Sequence, residues 1–455
     1  MSELRTSVDQ VESSGTQNLD IESAEHHHHD EETFKKRHIL HPKSWREFIV
    51  SILKKGRANL LLIFLVPAIV LPHFNVDKLI TFFVSFIAII PLSNLMTIGV
   101  EDLSARMGLA YASVLHALSG NFVELVIESY ALMDNQFAIV RSAVLGSILC
   151  NITLVLGIAF VAGSWPTARR VREGKHLHTN IEIESFVDTS SSILALAVLA
   201  LITPAAFKIA ATPLDLPGET NLIDCNLQNI SHATAIILMM VYIGLLVFQL
   251  KTHKHEVVDV KELSHLHKKY NWLFDIFLIA GSVAGISICA KTLVNSIEQI
   301  AHDFRLGTGF IGIVLLPLCV VSNFIEHYQA IAEAAEDKVD TAISLILNTS
   351  VQMALLITPI LVSVGWIYEK PLTLDFNALE ISVLACAVLI VNYLVADNKA
   401  NWLEGYMLII SYLLIAIAFF YFPSTHVPEQ HGHCNPWSRN LPPVETGEEG
   451  TAGEH

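Results

Sequence analysis

Two short stretches, Gly120-Asn121-Phe122-Val123-Glu124 and Ser322-Asn323-Phe324-Ile325-Glu326, each set a carboxamide and a carboxylate three residues apart inside apolar sequence, and the second begins 202 residues after the first. Residues three apart on a helix share a face, so Asn121 with Glu124, and Asn323 with Glu326, each present oxygen-bearing side chains in one direction. A glutamate at bilayer depth is costly unless it meets water, a cation or a proton, which makes an intramembrane acid a functional candidate by default. Brought together, the two pairs supply two carboxylates and two carboxamides. Such hard oxygen donors suit Ca²⁺ or another hard divalent ion, which takes about 6 to 8 oxygens and draws others from backbone carbonyls and water; softer metals favour His or Cys. The carboxylates also accept protons, so proton and cation compete for one site, the minimum chemistry of an antiporter.

The elements that must position these residues are membrane helices. Of 455 residues, 52% are hydrophobic and 16% charged, with a mean hydropathy of +0.50, well to the membrane side of a globular chain. Spans of about 20 apolar residues fall at 58–73, 79–99, 107–132, 138–163, 184–206, 232–250, 272–293, 308–335, 340–366, 376–395 and 402–421. The expected fold class is an all-α polytopic membrane protein of eleven helices. The third and eighth are the least apolar, as expected of helices that line a polar pathway.

The duplication extends past the acids: Gly120 to Gly146-Ser147 and Ser322 to Asn348-Thr349 are both 26 residues. Spans 2 to 6 and 7 to 11 then form two repeats with an odd number of helices each, so the second is inverted relative to the first, the common plan of secondary transporters. One extra helix, 58–73, precedes them. The expected organisation is a cytoplasmic tail (1–57), this first helix, a first repeat (79–250), a cytoplasmic inter-repeat loop (251–271), a second repeat (272–421) and a luminal tail (422–455).

Lys and Arg set the orientation. Lys35, Lys36, Arg37, Lys43, Arg46, Lys54, Lys55 and Arg57 precede the first span, and alternation puts the loops holding Arg169, Arg170, Arg172 and Lys175 and Lys251, Lys254, Lys261, Lys268 and Lys269 on the same, cytoplasmic side. The C-terminal tail, with Arg439 alone, falls opposite, as does Asn229-Ile230-Ser231, a candidate glycosylation acceptor. The net charge of −16 comes largely from tails and loops, and no basic patch with interleaved aromatics points to nucleic acid. The first 34 residues read as a disordered tail without a cleaved signal; its His26 to His29 run reads as solvated spacer rather than a metal site. Cys150, Cys225, Cys289, Cys319, Cys386 and Cys434 suggest neither a zinc site nor a disulfide framework. An enzyme is not indicated: no metalloprotease pair of histidines and no nucleophile with a base is present.

The chain resembles the calcium/proton exchanger family, the CAX branch of the cation/calcium exchanger superfamily, over about residues 58 to 421. The resemblance is carried by Ile89-Ile90-Pro91-Leu92, Gly120-Asn121 with Glu124-Leu125, Gly146-Ser147-Ile148-Leu149 with Asn151, Phe248-Gln249-Leu250-Lys251-Thr252-His253, Phe310-Ile311-Gly312, Asn323 with Glu326-His327, Ser350-Val351-Gln352 and Val364-Gly365-Trp366. It implies eleven helices in two inverted five-helix repeats, and Ca²⁺ loaded into an acidic organelle, typically the vacuole, in exchange for H⁺, with no cofactor. By position it makes Glu124 and Glu326 the essential acids, and Asn121, Asn323, Ser147 and Gln352 polar groups of the cation cavity. Departures from the family pattern are Ser322 for Gly, Asn348-Thr349 for Gly-Ser, Cys150 for Ser and Arg141 for Gln. Glu128, one turn beyond Glu124, is a candidate relay at the cavity mouth or a partner of Arg141; His327 and Ser350 join these as candidates for the proton or ion pathway. Alternatives are an exchanger for Mn²⁺ or a monovalent cation, and a transport-poor paralogue with a regulatory role. The expected partners are the bilayer and the two transported ions; the sequence permits a homo-oligomer without requiring one.

Overall fold

The computed structural model describes residues 57–74, 76–107, 109–164, 181–182, 185–211, 220–252, 272–304, 306–319, 321–336, 338–396 and 399–422. The N-terminal tail with its histidine run, most of the two basic loops, and the C-terminal tail with Cys434 lie outside these residues. Apart from one two-residue ladder, the described chain is helical. The helices are α1 (Asn59–His73), α2 (Lys78–Ser104), α3 (Leu109–Gly120), α4 (Phe122–Met133), α5 (Phe137–Ser164), α6 (Ser185–Ala211), α7 (Thr220–Val247), α8 (Trp272–Phe304), α9 (308–319), α10 (Val321–Ala335), α11 (Val339–Ile367), α12 (Ala378–Ala396) and α13 (Trp402–Tyr421).

Among the described residues eight helices are long and apolar enough to cross a membrane: α2, α5, α6, α7, α8, α11, α12 and α13. The sequence suggested continuous third and eighth helices. The first of these is two helices, α3 and α4, meeting at Asn121, whose backbone (φ −97°, ψ 9°) leaves the helical ladder. The second is described as α9 up to Cys319 and α10 from Val321, residue 320 lying outside the described residues. A break exposes backbone and polar side chains where hydrocarbon would penalise them, so it is tolerable only inside protein or beside water.

Burial sorts the helices into an inner and an outer set. Of its most apolar window, α5 has 83% buried inside the protein and α11 72%, whereas α6, α7, α8 and α12 have 33% and α13 22%. The outer helices therefore turn apolar faces such as Met240, Leu389 and Leu414 outward, where lipid is the fitting solvent. Both inner helices carry a wide π turn, Cys150–Val155 in α5 and Met353–Ile357 in α11, and α9 has another at Ile311–Leu315. Such turns widen the helix and cluster at functional sites. Where α5 crosses α9, a Cβ at Gly146 would sit 2.5 Å from the Gly312 carbonyl oxygen, so only glycine permits the approach.

Helix ends show local causes. The Asp77 side chain accepts from the Leu79 amide at 2.8 Å to start α2, and Asn401 and Glu404 form a reciprocal capping box on α13. The turns after α4 and α11 each use a left-handed residue, Asn135 (φ 61°) and Glu369 (φ 54°), and Lys370 Nζ donates to Asn135 Oδ1 at 2.7 Å, joining the two turns. Past the far end of α5, Ile181 and Glu182 pair antiparallel with Ala400 and Lys399.

Two sequence expectations are corrected. Asn229-Ile230-Ser231 lies within α7, and Ser231 is fully buried, donating to Leu227 O and accepting from the Leu374 amide at 3.0 Å. A helical, membrane-embedded sequon is no glycan acceptor. Cys225, near the start of α7, is disulfide-bonded, while Cys150, Cys289 and Cys386 are free.

Candidate functional site

The site begins at the break between α3 and α4. Because the chain leaves the helix at Asn121, the Asn121 side chain is released from capping α4 and reaches sideways. Its Nδ2 donates to Ala117 O at 3.2 Å and to Gln352 Oε1 of α11 at 3.0 Å. The Gln352 carbonyl fixes which way the amide points, and Asn121 Oδ1 is left buried, accepting no hydrogen bond. A buried carbonyl oxygen without a donor needs a reason, and a cation is one.

One turn on, Glu124 is 3% exposed, and Ser147 Oγ of α5 donates to its Oε1 at 2.9 Å. Glu326, on α10, repeats this pattern: Thr349 Oγ1 of α11 reaches its Oε2 at 3.4 Å. Both contacts span 23 residues of sequence. Thr349, a departure from the family's Ser, keeps the hydroxyl that the position uses.

Glu326 comes to the first break. Its Oε1 lies 2.5 Å from where a Cβ on Gly120 would be, so the carboxylate rests on the bare Cα immediately before Asn121. Gly120, Asn121, Glu124, Ser147, Glu326, Thr349 and Gln352 thus gather around one locus, contributed by α3, α4, α5, α10 and α11. The chemistry is oxygen-only: carboxylates, amide carbonyls and hydroxyls. Among the described residues no three His, Cys, Asp or Glu side chains cluster as a metal-binding group.

The remaining candidates scatter. Asn323 stands one turn before Glu326 on α10. His327 turns its Nε2 to Asn151 Oδ1 of α5 at 2.7 Å, and Asn151 Nδ2 is buried without an acceptor. Asn151 belongs to the motif that carries the resemblance, but its sequence gave no hint that it would hold the histidine beside the acid. Glu128 is 4% exposed, one turn beyond Glu124 on α4. Ser350, fully buried, donates to Ile346 O of its own helix at 3.0 Å, a bond that needs no ion. Arg141 lies about 9 Å along α5 from Ser147 by helix rise and lines a cleft with Val144, Leu361, Leu372, Leu374 and Phe376. Beside it Ser142 donates to Glu380 Oε1 at 2.5 Å, and the Asn377 amide donates to Oε2 at 2.9 Å. Arg141 therefore belongs to the packing between α5, α11 and the segment before α12; the acidic charge near it is Glu380.

Comparison with known proteins agrees with this arrangement. The sequence pattern of the sodium/calcium exchanger proteins matches residues 78–251 and 274–421. A vacuolar calcium ion transporter of Schizosaccharomyces pombe is 35% identical over 375 residues, 82% of this chain and 87% of the relative. A Ca²⁺/H⁺ antiporter of Aphanothece halophytica is 32% identical over 386 residues, 81% of this chain and 97% of the relative. The solved structure of native YfkE superposes with a TM-score of 0.61 at 24% identity, covering 80% of this chain and all of that one; that of the H⁺/Ca²⁺ exchanger CAX gives 0.58 at 14% identity, covering 80% and 92%. Both show the same fold. The chain belongs to the sodium/calcium exchanger family, whose members are transporters and not enzymes.

Proposed function

We propose that this protein exchanges Ca²⁺ for H⁺ across the membrane of an acidic organelle, loading a vacuole with calcium, and that Glu124 and Glu326 carry both ions in turn. The observation that carries the reading is the seating of Glu326 on Gly120 beside Asn121, which brings an acid of one repeat to the helix break of the other. Relatives described as vacuolar calcium ion transporters and Ca²⁺/H⁺ antiporters support the ion assignment.

The reaction follows from charge. With both carboxylates ionised, a divalent cation finds two negative charges, the Asn121 carbonyl oxygen and the Ser147 and Thr349 hydroxyls, and Gln352 holds Asn121 in register; the family resemblance alone assigns Asn323 to the site. With both protonated, the same groups repel nothing and hold no dication. High proton activity in the lumen therefore releases calcium there, and the near-neutral cytoplasm lets the pair deprotonate and reload. Neither state is favoured with charges buried and uncompensated, which couples the two flows.

In this reading α3 with α4, and α9 with α10, each make one crossing, so α1 to α13 form eleven spans. The first stands apart and two inverted five-helix repeats follow, meeting at the 251–271 loop. The family match divides at the same place. The ladder between Ile181-Glu182 and Lys399-Ala400, and the Asn135 to Lys370 bond, join loops that alternation puts on the same sides, cytoplasmic and luminal respectively. The disulfide at Cys225 stands at the luminal end of α7, and disulfides persist in oxidising compartments. The N-terminus is then cytoplasmic and the C-terminus luminal.

Uptake of Ca²⁺ into proteoliposomes, with and without an inside-acid pH gradient, tests this. Gradient-dependent uptake is expected; gradient-dependent uptake of Mn²⁺ or Na⁺ with none of Ca²⁺ would move the assignment to another ion.

A further inference from the structure

Cys225, near the start of α7, is disulfide-bonded, while Cys150, Cys289 and Cys386 are free. The chain has six cysteines, so two remain as partners: Cys319, the last residue of α9, and Cys434, in the C-terminal segment outside the described residues.

The fold brings these two to different levels of the helix bundle. Lys370, after α11, bonds to Asn135, just before α5, so α11 ends and α5 begins on one face. Ser231 of α7 accepts from the Leu374 amide in the segment after α11, and beyond it α7 runs inward along α11, His232 stacking on Trp366. Cys225, six residues before Ser231, therefore stands about 9 Å outward of it by helix rise. α13 starts at the opposite face, where a Cβ on Gly157 of α5 would meet the Gly405 carbonyl oxygen at 2.7 Å, so it ends on the face that holds Cys225. There Phe420 in its last turn meets Phe310 in the first turn of α9, ring centres 5.4 Å apart.

From this face α9 runs inward. It passes Gly146 of α5 at Gly312, about 13 Å below the start of α5, and Cys319 lies about 10 Å deeper still by helix rise. A disulfide needs its Cα atoms within about 7 Å. The end of α9 also packs on α5 and α10, whereas α7 packs on α6 and α11. Cys319 cannot reach Cys225. Cys434 can: it follows Tyr421 by 13 residues, which extend up to about 43 Å. Across the bundle α13, α5, α11 and α7 are successive neighbours, three steps of about 8–10 Å each.

We propose that Cys434 is bonded to Cys225, forming a clasp that returns the C-terminal tail to α7, the last helix of the first repeat. The two thiols give up two protons and two electrons to the disulfide of a thiol–disulfide oxidoreductase, which leaves as its dithiol. The luminal placement of the clasp rests on the orientation proposed above; the pairing does not. The joined residues are 209 apart, so the bond encloses the whole second repeat and removes freedom chiefly from the unfolded chain.

The test is peptide mapping of the full-length protein, purified without reductant, its free thiols alkylated in denaturant before digestion. One linked pair of peptides carrying Cys225 and Cys434 is expected, with Cys150, Cys289, Cys319 and Cys386 alkylated. Linkage of Cys225 to Cys319, a link between two chains, or an alkylated Cys225 would overturn the proposal. In Cys434→Ser, Cys225 is expected to become alkylatable, whereas in Cys319→Ser it stays protected; the opposite pattern would also overturn it. The hold of the clasp is read by thermal melting. Dithiothreitol is expected to lower the native melting temperature by several degrees, and Cys225→Ser, Cys434→Ser and the double variant to melt together at the lower temperature with or without it. Native melting unchanged after the bond is reduced would refute the stabilising role. Neither readout involves transport, so both stand or fall apart from the calcium assignment.

Discussion

Gly120→Ala isolates the contact on which the site depends. The added methyl carbon would lie 2.5 Å from Glu326 Oε1, whereas an unbonded carbon and oxygen settle at about 3.3 Å or more. The carboxylate must therefore retreat by roughly 1 Å, several times the about 0.2 Å tolerance of a metal–oxygen bond. The obstructed atom is the end of a flexible side chain, and Gly120 ends a helix without a left-handed backbone, so the fold can accept alanine; the lower flexibility of alanine even favours the helix by about 0.5–1 kcal/mol. The expected result is a protein that melts at or slightly above the native temperature yet needs about 10- to 100-fold more Ca²⁺ for half-maximal uptake. Uptake within twofold of native, in protein of native stability, would refute the inference that Glu326 works where it rests on Gly120.

Other expectations follow from single bonds. Removing the Ser147 hydroxyl takes away a donor to the charged Glu124 at 2.9 Å, worth about 1.5–3 kcal/mol, whereas Thr349 reaches Glu326 only at 3.4 Å; in titrations of uptake against Ca²⁺, Ser147→Ala should weaken apparent affinity more than Thr349→Val, and the reverse order would contradict the geometry. Gln352→Leu should lower affinity through Asn121 without touching either acid, and it should do so no further when combined with Asn121→Ala, a non-additivity measurable in a double-mutant cycle. Treatment of the protein from a eukaryotic host with an N-glycanase should produce no mass change attributable to Asn229, because its sequon is buried in α7.

The apolar setting of Glu124 and Glu326 marked both acids as site candidates, and hydropathy located every described long helix to within a few residues at most ends. Both signals are periodic and local, which is why one sequence carries them. The break at Asn121 was not legible: asparagine is compatible with a continuous helix, and its side chain finds its partner Gln352 only through the packing of α11. The matching hydroxyls of Ser147 and Thr349 were legible as positions through the resemblance, and the bonds they make required the tertiary contact. Arg141 read as a cation near the site because it stands where the family pattern has Gln; in the fold it lines a cleft with Val144, Leu361 and Phe376, with Glu380 nearby. Asp102 and Asp275 left no sequence signal, since an acid at a predicted helix end normally reads as solvated and here the crossing of α2 and α8 buries both.

The central claim is that proton and calcium compete for the Glu124 and Glu326 carboxylates. Equilibrium Ca²⁺ binding to the purified protein, compared at about pH 5 and about pH 8 for the native chain, Glu124→Gln and Glu326→Gln, tests it most directly. Competition predicts native binding that is strong at the higher pH, at least tenfold weaker at the lower, and largely lost at both in either variant. Native binding of equal strength at the two pH values, or binding that survives both substitutions, would contradict it.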